Sequence, residues 1–297
     1  MDLISIAYIT GILTVVLFGL STVSYKMYPQ YSHILTTISL SIFSLFWVSL
    51  FPYYVFQTRS FVYGILIVTG VPLTLYIAYQ YYHSPGKYTT MPQVVTFIFI
   101  ASVLYAPLEL STSFRQAAIE LIAYQTYYII QLFGIDVELI PGPDYGYMSA
   151  LAFPNPDPSN NGRLITYIEP ACTGLGSMAV LIGLISINKI SLGRKIGLIA
   201  VSVVVIHILN IIRNVFIAVG YGLQWFQFYP ETIQRLLQLQ YESLVSFIIA
   251  DKVIAQLLSA IVLVILIYVL TYLIPPFKQF LVTFIEEWVE PVLEKAE

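Results

Sequence analysis

Charged side chains are scarce in this chain of 297 residues. Asp, Glu, Lys and Arg together make up 10% of the sequence, whereas soluble domains carry about 25%. The formal net charge of −3 provides no basic surface, so we expect no nucleic-acid partner. The chain is instead 58% hydrophobic, and several apolar runs reach the roughly 20 residues that a helix needs to cross a bilayer. The composition therefore predicts an integral membrane protein.

Cysteine and histidine are also scarce. The chain has one cysteine, Cys172, and three histidines that lie far apart, His33, His83 and His207. A single cysteine cannot form an intrachain disulfide, and the chain contains no Cys-based zinc motif. We therefore expect no metal site and no cofactor. The sequence also shows no internal repeat, which argues against the transporters that are built from inverted repeats.

Eight apolar stretches predict an all-α, polytopic bundle of about eight transmembrane helices. Short connections between the first five make those helices antiparallel neighbours. The first stretch has no basic segment before it and no cleavage site after it, so we expect it to be retained. The fifth carries Glu120, Gln125 and Gln131 and could lie partly at the membrane interface. The predicted spans are 3–23, 34–56, 61–82, 92–110, 115–133, 171–188, 196–221 and 244–274.

The spans and the polar segments between them divide the chain into four parts. The second part is rich in proline, and its Asn-Pro-Asp-Pro run at 155–158 predicts turns. Residues 163–168 within it could form a short strand. Between the last two spans, helical character begins at Glu231. The four parts are N-terminal transmembrane helices (1–134), an extracellular loop (135–168), catalytic transmembrane helices (169–275) and a short amphipathic cytoplasmic tail helix (276–297).

Basic residues in short loops predict the orientation in the membrane, because such loops are usually cytoplasmic. The densest basic loop contains Lys189, Arg194 and Lys195, so we place it in the cytoplasm. Counting eight spans outward from it then puts Arg59, Arg115, Lys278 and both termini inside the cell. The same count puts Lys26, Lys87, Arg163 and Arg235 outside, so the bias is moderate but of one sign.

Three chemically reactive or charged side chains are predicted to reach one depth near the outer surface. At a rise of ~1.5 Å per residue, Cys172 lies ~25 Å from the inner end of its helix, Arg213 ~27 Å and Lys252 ~30 Å. A thiolate is a strong nucleophile, and a nearby cation or a helix N-terminus lowers the pKa of a thiol. This convergence favours a cysteine nucleophile that Arg213 assists.

Neighbouring residues suggest supporting roles. Asn210 lies three residues before Arg213, on the same helix face, and can hold its guanidinium. His207 lies nearly two turns deeper and is predicted to be a core histidine or an indirect partner of the site. Glu169 precedes the sixth predicted span and favours the positive end of that helix.

Each feature also has a simpler explanation. Cys172 could be an inert packing residue, Arg213 an anchor that extends to the interface, and Lys252 half of an interfacial pair with Asp251. A transporter and a non-enzymatic membrane assembly protein therefore remain alternatives. A transporter, however, would place its polar groups near mid-membrane rather than at the outer edge.

Three elements of the sequence resemble the exosortase/archaeosortase family. They are Ala-Cys-Thr-Gly at 171–174, Asn-x-x-Arg at 210–213, and a further polar position on a following span. The resemblance implies a catalytic Cys, an Arg and a third residue that is Arg or His. It assigns Cys172 as the nucleophile, Arg213 as the stabiliser of the thiolate or oxyanion, and Lys252 as the third residue. Lysine departs from the family pattern, and the fallback candidates for that position are Tyr241 and Glu242.

The same resemblance implies an activity. It implies an archaeal membrane cysteine transpeptidase that cleaves Pro-Gly-Phe-type C-terminal sorting signals of surface or S-layer proteins. The enzyme would then join the new C-terminus to a membrane lipid through a thioester on the cysteine. The implied partners are substrate proteins with a C-terminal signal helix and a lipid acceptor. The implied location is the cell membrane, with the site facing outward.

Overall fold

The computed structural model describes residues 3–57, 61–143, 146–154 and 162–290. The predicted helical fold is confirmed, because most of these residues are helical. The α-helices are α1 (Leu3–Met27), α2 (Pro29–Pro52), α3 (Phe61–His83), α4 (Met91–Leu110), α5 (Thr112–Leu132), α6 (Leu175–Ser186), α7 (Leu192–Gly222), α8 (Pro230–Leu237), α9 (Leu244–Ile248), α10 (Gln256–Leu273) and α11 (Pro275–Trp288). Two π-helical segments, Tyr53–Gln57 and Ile249–Ala255, and two 3-10 turns, Pro85–Lys87 and Pro170–Thr173, complete the helical elements.

Six helical stretches within the described residues are long and apolar enough to cross a membrane, so the chain is a multi-pass membrane protein. Large apolar side chains remain exposed on them, for example Leu257 and Val264 on α10, as expected of surfaces that face lipid. Helix α5 does not qualify as a span, and α6 is short, with 12 residues. The predicted count of eight spans is therefore not confirmed. The six stretches are Ser5–Met27, Pro29–Phe56, Tyr63–His83, Met91–Leu110, Leu192–Gly222 and Leu244–Leu273.

The segment predicted as a proline-rich loop contains a small antiparallel sheet, which the all-α prediction missed. Its strands are β1 (Glu138–Pro141), β2 (Met148–Pro154) and β3 (Arg163–Tyr167), in the order β1-β2-β3. Strand β3 confirms the short strand predicted there. The Asn-Pro-Asp-Pro run lies outside the described residues. The predicted helices after Glu231 and in the tail are confirmed as α8 and α11.

The fold consists of two compact units, each built from separate stretches of the chain. The first unit comprises Met1–Leu104, Val180–Lys195 and Leu270–Glu297. The second comprises Tyr105–Ala179 and Ile196–Val269, and it contains the sheet. The division of the sequence into four functional parts stays a prediction.

Hydroxyl groups join the first three helices of the first unit. Thr36 on α2 is hydrogen-bonded to Ser21 of α1 at 2.6 Å and to Tyr25 of α1 at 2.8 Å. Tyr25 is also hydrogen-bonded to Tyr81 of α3 at 3.0 Å. Helices in lipid gain little from apolar contact alone, so small polar residues and hydrogen bonds stabilise their packing.

The tail helix α11 is attached to the turn between α3 and α4 through one carboxylate. Glu287 Oε1 accepts hydrogen bonds from the amide and hydroxyl of Thr89 at 2.7 and 2.6 Å. Its Oε2 accepts hydrogen bonds from the amide and hydroxyl of Thr90 at 3.1 and 2.6 Å. The ring of Trp288 stacks on Tyr88 with 3.8 Å between centroids. Burial raises the pKa of Glu287, but the threonine donors lower it more, so the net shift is downward.

This attachment corrects the predicted orientation of the N-terminal helices. Lys87 belongs to the turn that Glu287 contacts, and Lys189 lines the same cavity as Thr89 and Thr90. Lys87, Lys189 and the tail therefore lie at one end of the first unit. The prediction that Lys87 faces the opposite side of the membrane from Lys189 is wrong.

The correction follows from counting membrane crossings. The chain leaves this end at Met91 and returns at Lys189, so it must cross an even number of times between them. Helix α4 supplies one crossing, whereas α5 packs against the sheet and the 3-10 turn. The return crossing is then residues 170–186, whose turn and helix are together ~26 Å long. This count differs from the predicted eight spans by one crossing, because it leaves out α5.

The core of the second unit lies where α5, the sheet and α7 meet. Buried Ile119 and Ile122 of α5 pack in one cluster with Leu151 and Phe153 of β2, and Cys172 packs against that cluster. Strand β2 is buried along nearly its whole length. The sheet therefore forms part of the surroundings of the cysteine.

We expect engineered cysteines to show the corrected orientation. Gly86 and Gly193 have open space where a Cβ would lie, so cysteine fits at both positions. In a chain whose Cys172 is replaced by alanine, Gly86→Cys and Gly193→Cys should react with a membrane-impermeant maleimide from the same side of sealed vesicles. Glu231→Cys on α8 should react from the other side. Labelling of the two glycine positions from opposite sides would restore the eight-span topology.

We also expect Glu287→Gln to loosen the tail. A neutral amide replaces an anion that accepts hydrogen bonds from two threonines, and losing such a charged partner costs about 1–3 kcal/mol. Hydrogen–deuterium exchange at residues 84–90 and 275–290 should be faster. Because the pKa of Glu287 is lowered, the contact should be fully present above the ordinary carboxyl pKa and lost as the pH falls through the lowered value.

The matched control for the tail is Glu286→Gln, which changes an exposed neighbour on the same helix. Equal exchange rates in the two variants would show that the carboxylate of Glu287 does not hold the tail.

Candidate active site

A tight turn between the sheet and α6 positions the cysteine. Ile168 extends the sheet by donating its amide to the carbonyl of Ser149 at 2.7 Å. The chain then enters the 3-10 turn Pro170–Thr173, in which the amide of Cys172 donates to the carbonyl of Glu169 at 2.8 Å. Cys172 is half-buried. The nucleophile candidate is therefore held by backbone contacts on its N-terminal side.

Gly174 separates this turn from α6. Its φ of +75° lies in the left-handed region, which glycine adopts without steric strain. A Cβ on Gly174 would lie 2.9 Å from Cγ of Asn210, so only glycine fits there without movement. Cys172 was predicted to start the helix, but α6 begins at Leu175. The thiol thus belongs to a separate turn ahead of the helix.

Two asparagines of α7 bind the carbonyl oxygen of Cys172. The side-chain amides of Asn210 and Asn214 donate to it at 2.7 and 2.8 Å. Both side chains belong to buried residues, and the two residues are four apart, so they lie on one face of α7. Asn210 was predicted to be able to hold the guanidinium of Arg213, and the contact that the structure gives its amide is with the cysteine turn. Asn214 was not singled out from the sequence.

Asp251 joins the two predicted cations of the site. Arg213 Nη2 donates to Asp251 Oδ1 at 2.7 Å, and Lys252 Nζ lies 2.9 Å from Asp251 Oδ2. The side chains of Arg213, Asp251 and Lys252 are 24%, 12% and 33% exposed. The structure thus brings Arg213 and Lys252 together through a carboxylate that sequence reasoning treated only as a local partner of Lys252.

Charges of both signs lie within electrostatic reach of the thiol of Cys172. They are the positive charge of Arg213 and the negative charges of Asp251 and Glu169. Arg213 is therefore a cation placed to stabilise a thiolate at Cys172 by its charge.

The other predicted residues lie around this cluster rather than in it. Glu169 contributes its backbone carbonyl to the turn, while its side chain is exposed. His207 is half-buried on α7, and no contact described for it joins it to the cluster. Tyr241 and Glu242 are exposed ahead of α9, where their backbone carbonyls accept the amides of Leu244 and Val245. Of the three candidates for the third position, Lys252 is the one with a described contact to the carboxylate that pairs with Arg213.

The chain is similar to known membrane proteins along most of its length. The family model described as transmembrane exosortase matches residues 4–248, which include Cys172 and Arg213 and end before Lys252. Archaeosortase A of Haloferax volcanii is 30% identical over 244 residues, which cover 79% of this chain and 78% of that protein. Archaeosortase A of Natronomonas pharaonis is 33% identical over 260 residues, which cover 86% of this chain and 76% of that protein. No solved structure matches the chain.

The geometry of the cysteine turn predicts that alanine disrupts the structure at Gly174 but is tolerated at Gly176. Gly174→Ala places a Cβ against Asn210 and forces a left-handed φ, which costs roughly 1–2 kcal/mol. We expect it to displace Asn210, to lower the melting temperature and to speed maleimide labelling of Cys172. Gly176→Ala, whose Cβ would make only ordinary contact with Tyr105 at 3.7 Å, should behave like the wild type. Equal labelling rates in the two variants would contradict the role of Gly174.

Proposed function

This chain belongs to the transmembrane exosortase family of membrane sorting enzymes, and we propose that it is a cysteine transpeptidase whose nucleophile is Cys172. The observation that carries the proposal is the arrangement of the chain's one cysteine. Its carbonyl is held by two side chains of α7, the helix that also carries Arg213. A fixed thiol beside a cation is the arrangement that activates a cysteine nucleophile.

The first half of the proposed reaction cleaves the substrate. The thiolate of Cys172 attacks the carbonyl carbon of the scissile peptide bond and forms a tetrahedral oxyanion. Arg213 stabilises the thiolate before the attack or the oxyanion after it, and Lys252 adds a second positive charge. The carbon–nitrogen bond then breaks, and the departing amine takes a proton from solvent. The substrate remains attached to Cys172 as a thioester.

The second half transfers the substrate to a membrane lipid. A hydroxyl or amine of a lipid headgroup attacks the thioester carbonyl and loses its proton. The carbon–sulfur bond breaks, which releases the lipid-linked protein and regenerates the thiolate. Water in place of the lipid would give simple hydrolysis.

The proposed substrates follow from the two relatives, which are named archaeosortase A. We propose that they are surface proteins with a Pro-Gly-Phe-type motif, a transmembrane helix and a basic tail at the C-terminus. The helix would approach the enzyme laterally within the bilayer, so that its motif reaches the cysteine turn. A site on the outer side of the membrane fits this route, because α7 begins in the basic loop that contains Lys189 and runs about 32 Å from Leu192 to Arg213.

We expect Cys172→Ala to abolish processing of a co-expressed archaeal protein that carries such a signal. The mass and lipid content of the substrate's C-terminus are the measurements, with enzyme levels compared by immunoblot. Unchanged processing would make Cys172 a packing residue and would end the nucleophile assignment.

Alanine variants of two arginines test the role of Arg213 in the same assay. Arg213→Ala should reduce processing by about 100-fold or more, the usual effect of losing one oxyanion donor. Arg235→Ala is the matched control, because Arg235 is highly exposed on α8 and pairs only loosely, at 3.7 Å, with Glu231. Equal losses in the two variants would contradict a role of Arg213 in the reaction.

A further inference from the structure

Asp251 is the one acidic residue that contacts both cations of the candidate site among the described residues. Each of its carboxylate oxygens binds a different cation, Oδ1 binding Arg213 at 2.7 Å and Oδ2 lying 2.9 Å from Lys252. Only 8% of the residue is exposed. A carboxylate this well buried is costly in a membrane protein unless it is paired, so its position demands an explanation.

Asp251 and its partner Lys252 are adjacent in sequence and lie in an unusual stretch of helix. Neighbours at i and i+1 on an α-helix point in different directions and do not face each other. Asp251 and Lys252, however, lie in the π-helical segment Ile249–Ala255. Single π-helical turns within α-helices are rare and are frequent at functional sites. The segment interrupts the last membrane-spanning stretch at the level of Arg213.

The π-helical segment is fixed against α7. Ser246, on the turn before it, donates its hydroxyl to the carbonyl of Gly220 at 2.8 Å and accepts the amide of Phe226 at 3.2 Å. A Cβ on Gly220 would lie 3.6 Å from that of Ala250, so the two helices approach closely there. Asp251 follows Ala250 directly and is therefore held at a set position beside Arg213.

The charges of the cluster are balanced when the thiolate forms. Arg213 and Lys252 are positive and Asp251 is negative, so the three groups carry one net positive charge. The thiolate of Cys172 brings the sum to zero. Without Asp251 the cluster would carry two positive charges, and the guanidinium would lose its anionic partner.

The geometry points to Asp251 as a positioning residue of the sorting reaction, one that fixes the guanidinium of Arg213 and sets the charge around Cys172. This inference rests on the proposed function for its catalytic meaning. Lys252 then acts on the site through the carboxylate it shares with Arg213. Lys252 does not need the planar, two-pronged guanidinium of an arginine for this role, because a single contact between its ammonium group and Asp251 is sufficient.

Alkylation of the thiol tests the inference without any substrate. Cys172 is the only cysteine of the chain, so the rate of its reaction with iodoacetamide reports on that thiol alone. Asp251→Asn removes the negative charge but keeps an oxygen that can accept a hydrogen bond from Arg213. We expect the pH of half-maximal alkylation of the purified full chain to fall by on the order of one unit.

Three comparisons separate positioning from simple structural support. Asp251→Asn should reduce substrate processing at least about tenfold, because the guanidinium loses the anion that fixes its position and small misplacements of a catalytic group are costly. Asp251→Glu, which keeps the charge, should restore the alkylation profile and part of the processing. Glu231→Gln, which removes an exposed carboxylate on α8, should leave both measurements unchanged.

Two outcomes would overturn the inference. One is an Asp251→Asn profile identical to that of the wild type. The other is an equal shift of the profile in Asp251→Glu, which keeps the charge, because Asp251 would then only support the fold. Alkylation does not depend on the sorting reaction. If Cys172→Ala leaves processing intact while Asp251→Asn still shifts the profile, the proposed function fails and the charge assignment stands.

Discussion

The carbonyl oxygen of Cys172 is the point on which the arrangement of the site depends. Two buried asparagine amides of α7 hold it, and the same helix carries Arg213 between them in sequence. The cysteine turn and the arginine therefore cannot move independently. Gly174 makes this possible, because any larger residue there would occupy the space of Asn210. The sheet and α5 complete the arrangement by packing behind the turn.

A second constraint comes from the membrane. Each polar group in hydrocarbon needs a partner, and the cluster of Arg213, Asp251 and Lys252 meets that need by pairing. The pairing leaves Arg213 Nε buried without a hydrogen-bond partner among the described residues. A substrate carbonyl or an oxyanion could supply that partner. The family match also sets aside the transporter and the assembly protein, which composition alone left open.

Much of this could be read from the sequence, for physical reasons that also mark its limits. Hydropathy located the long spans because lipid imposes one length on them. The order of Cys172, Arg213 and Lys252 along successive helices placed the candidate site. The role of Asp251 could not be recognised, because its contact with Arg213 joins two distant helices and leaves no local signal in the sequence. Asn214 was missed because the sequence does not show which group the side chain of a polar residue beside Arg213 contacts.

The orientation failed for a different reason. Counting spans assumes that each apolar stretch crosses, and α5 was counted although it packs against the sheet. One extra crossing in the count moves every earlier loop to the opposite side of the membrane. The contact of Glu287 with Thr89 and Thr90 shows that two distant parts of the chain lie at the same end of the first unit. The number of crossings between them must therefore be even. Such contacts leave no local signal in the sequence.

The contact of Glu287 also orders events during biosynthesis. Thr89 and Thr90 enter the membrane region early, but the carboxylate that binds them is translated about two hundred residues later. Until then, the start of α4 has backbone amides without this acceptor. The first helices can insert one by one as they emerge from the ribosome, yet their final packing waits for the tail. A chain whose synthesis stops before α11 would therefore leave the amides and hydroxyls of Thr89 and Thr90 without this acceptor.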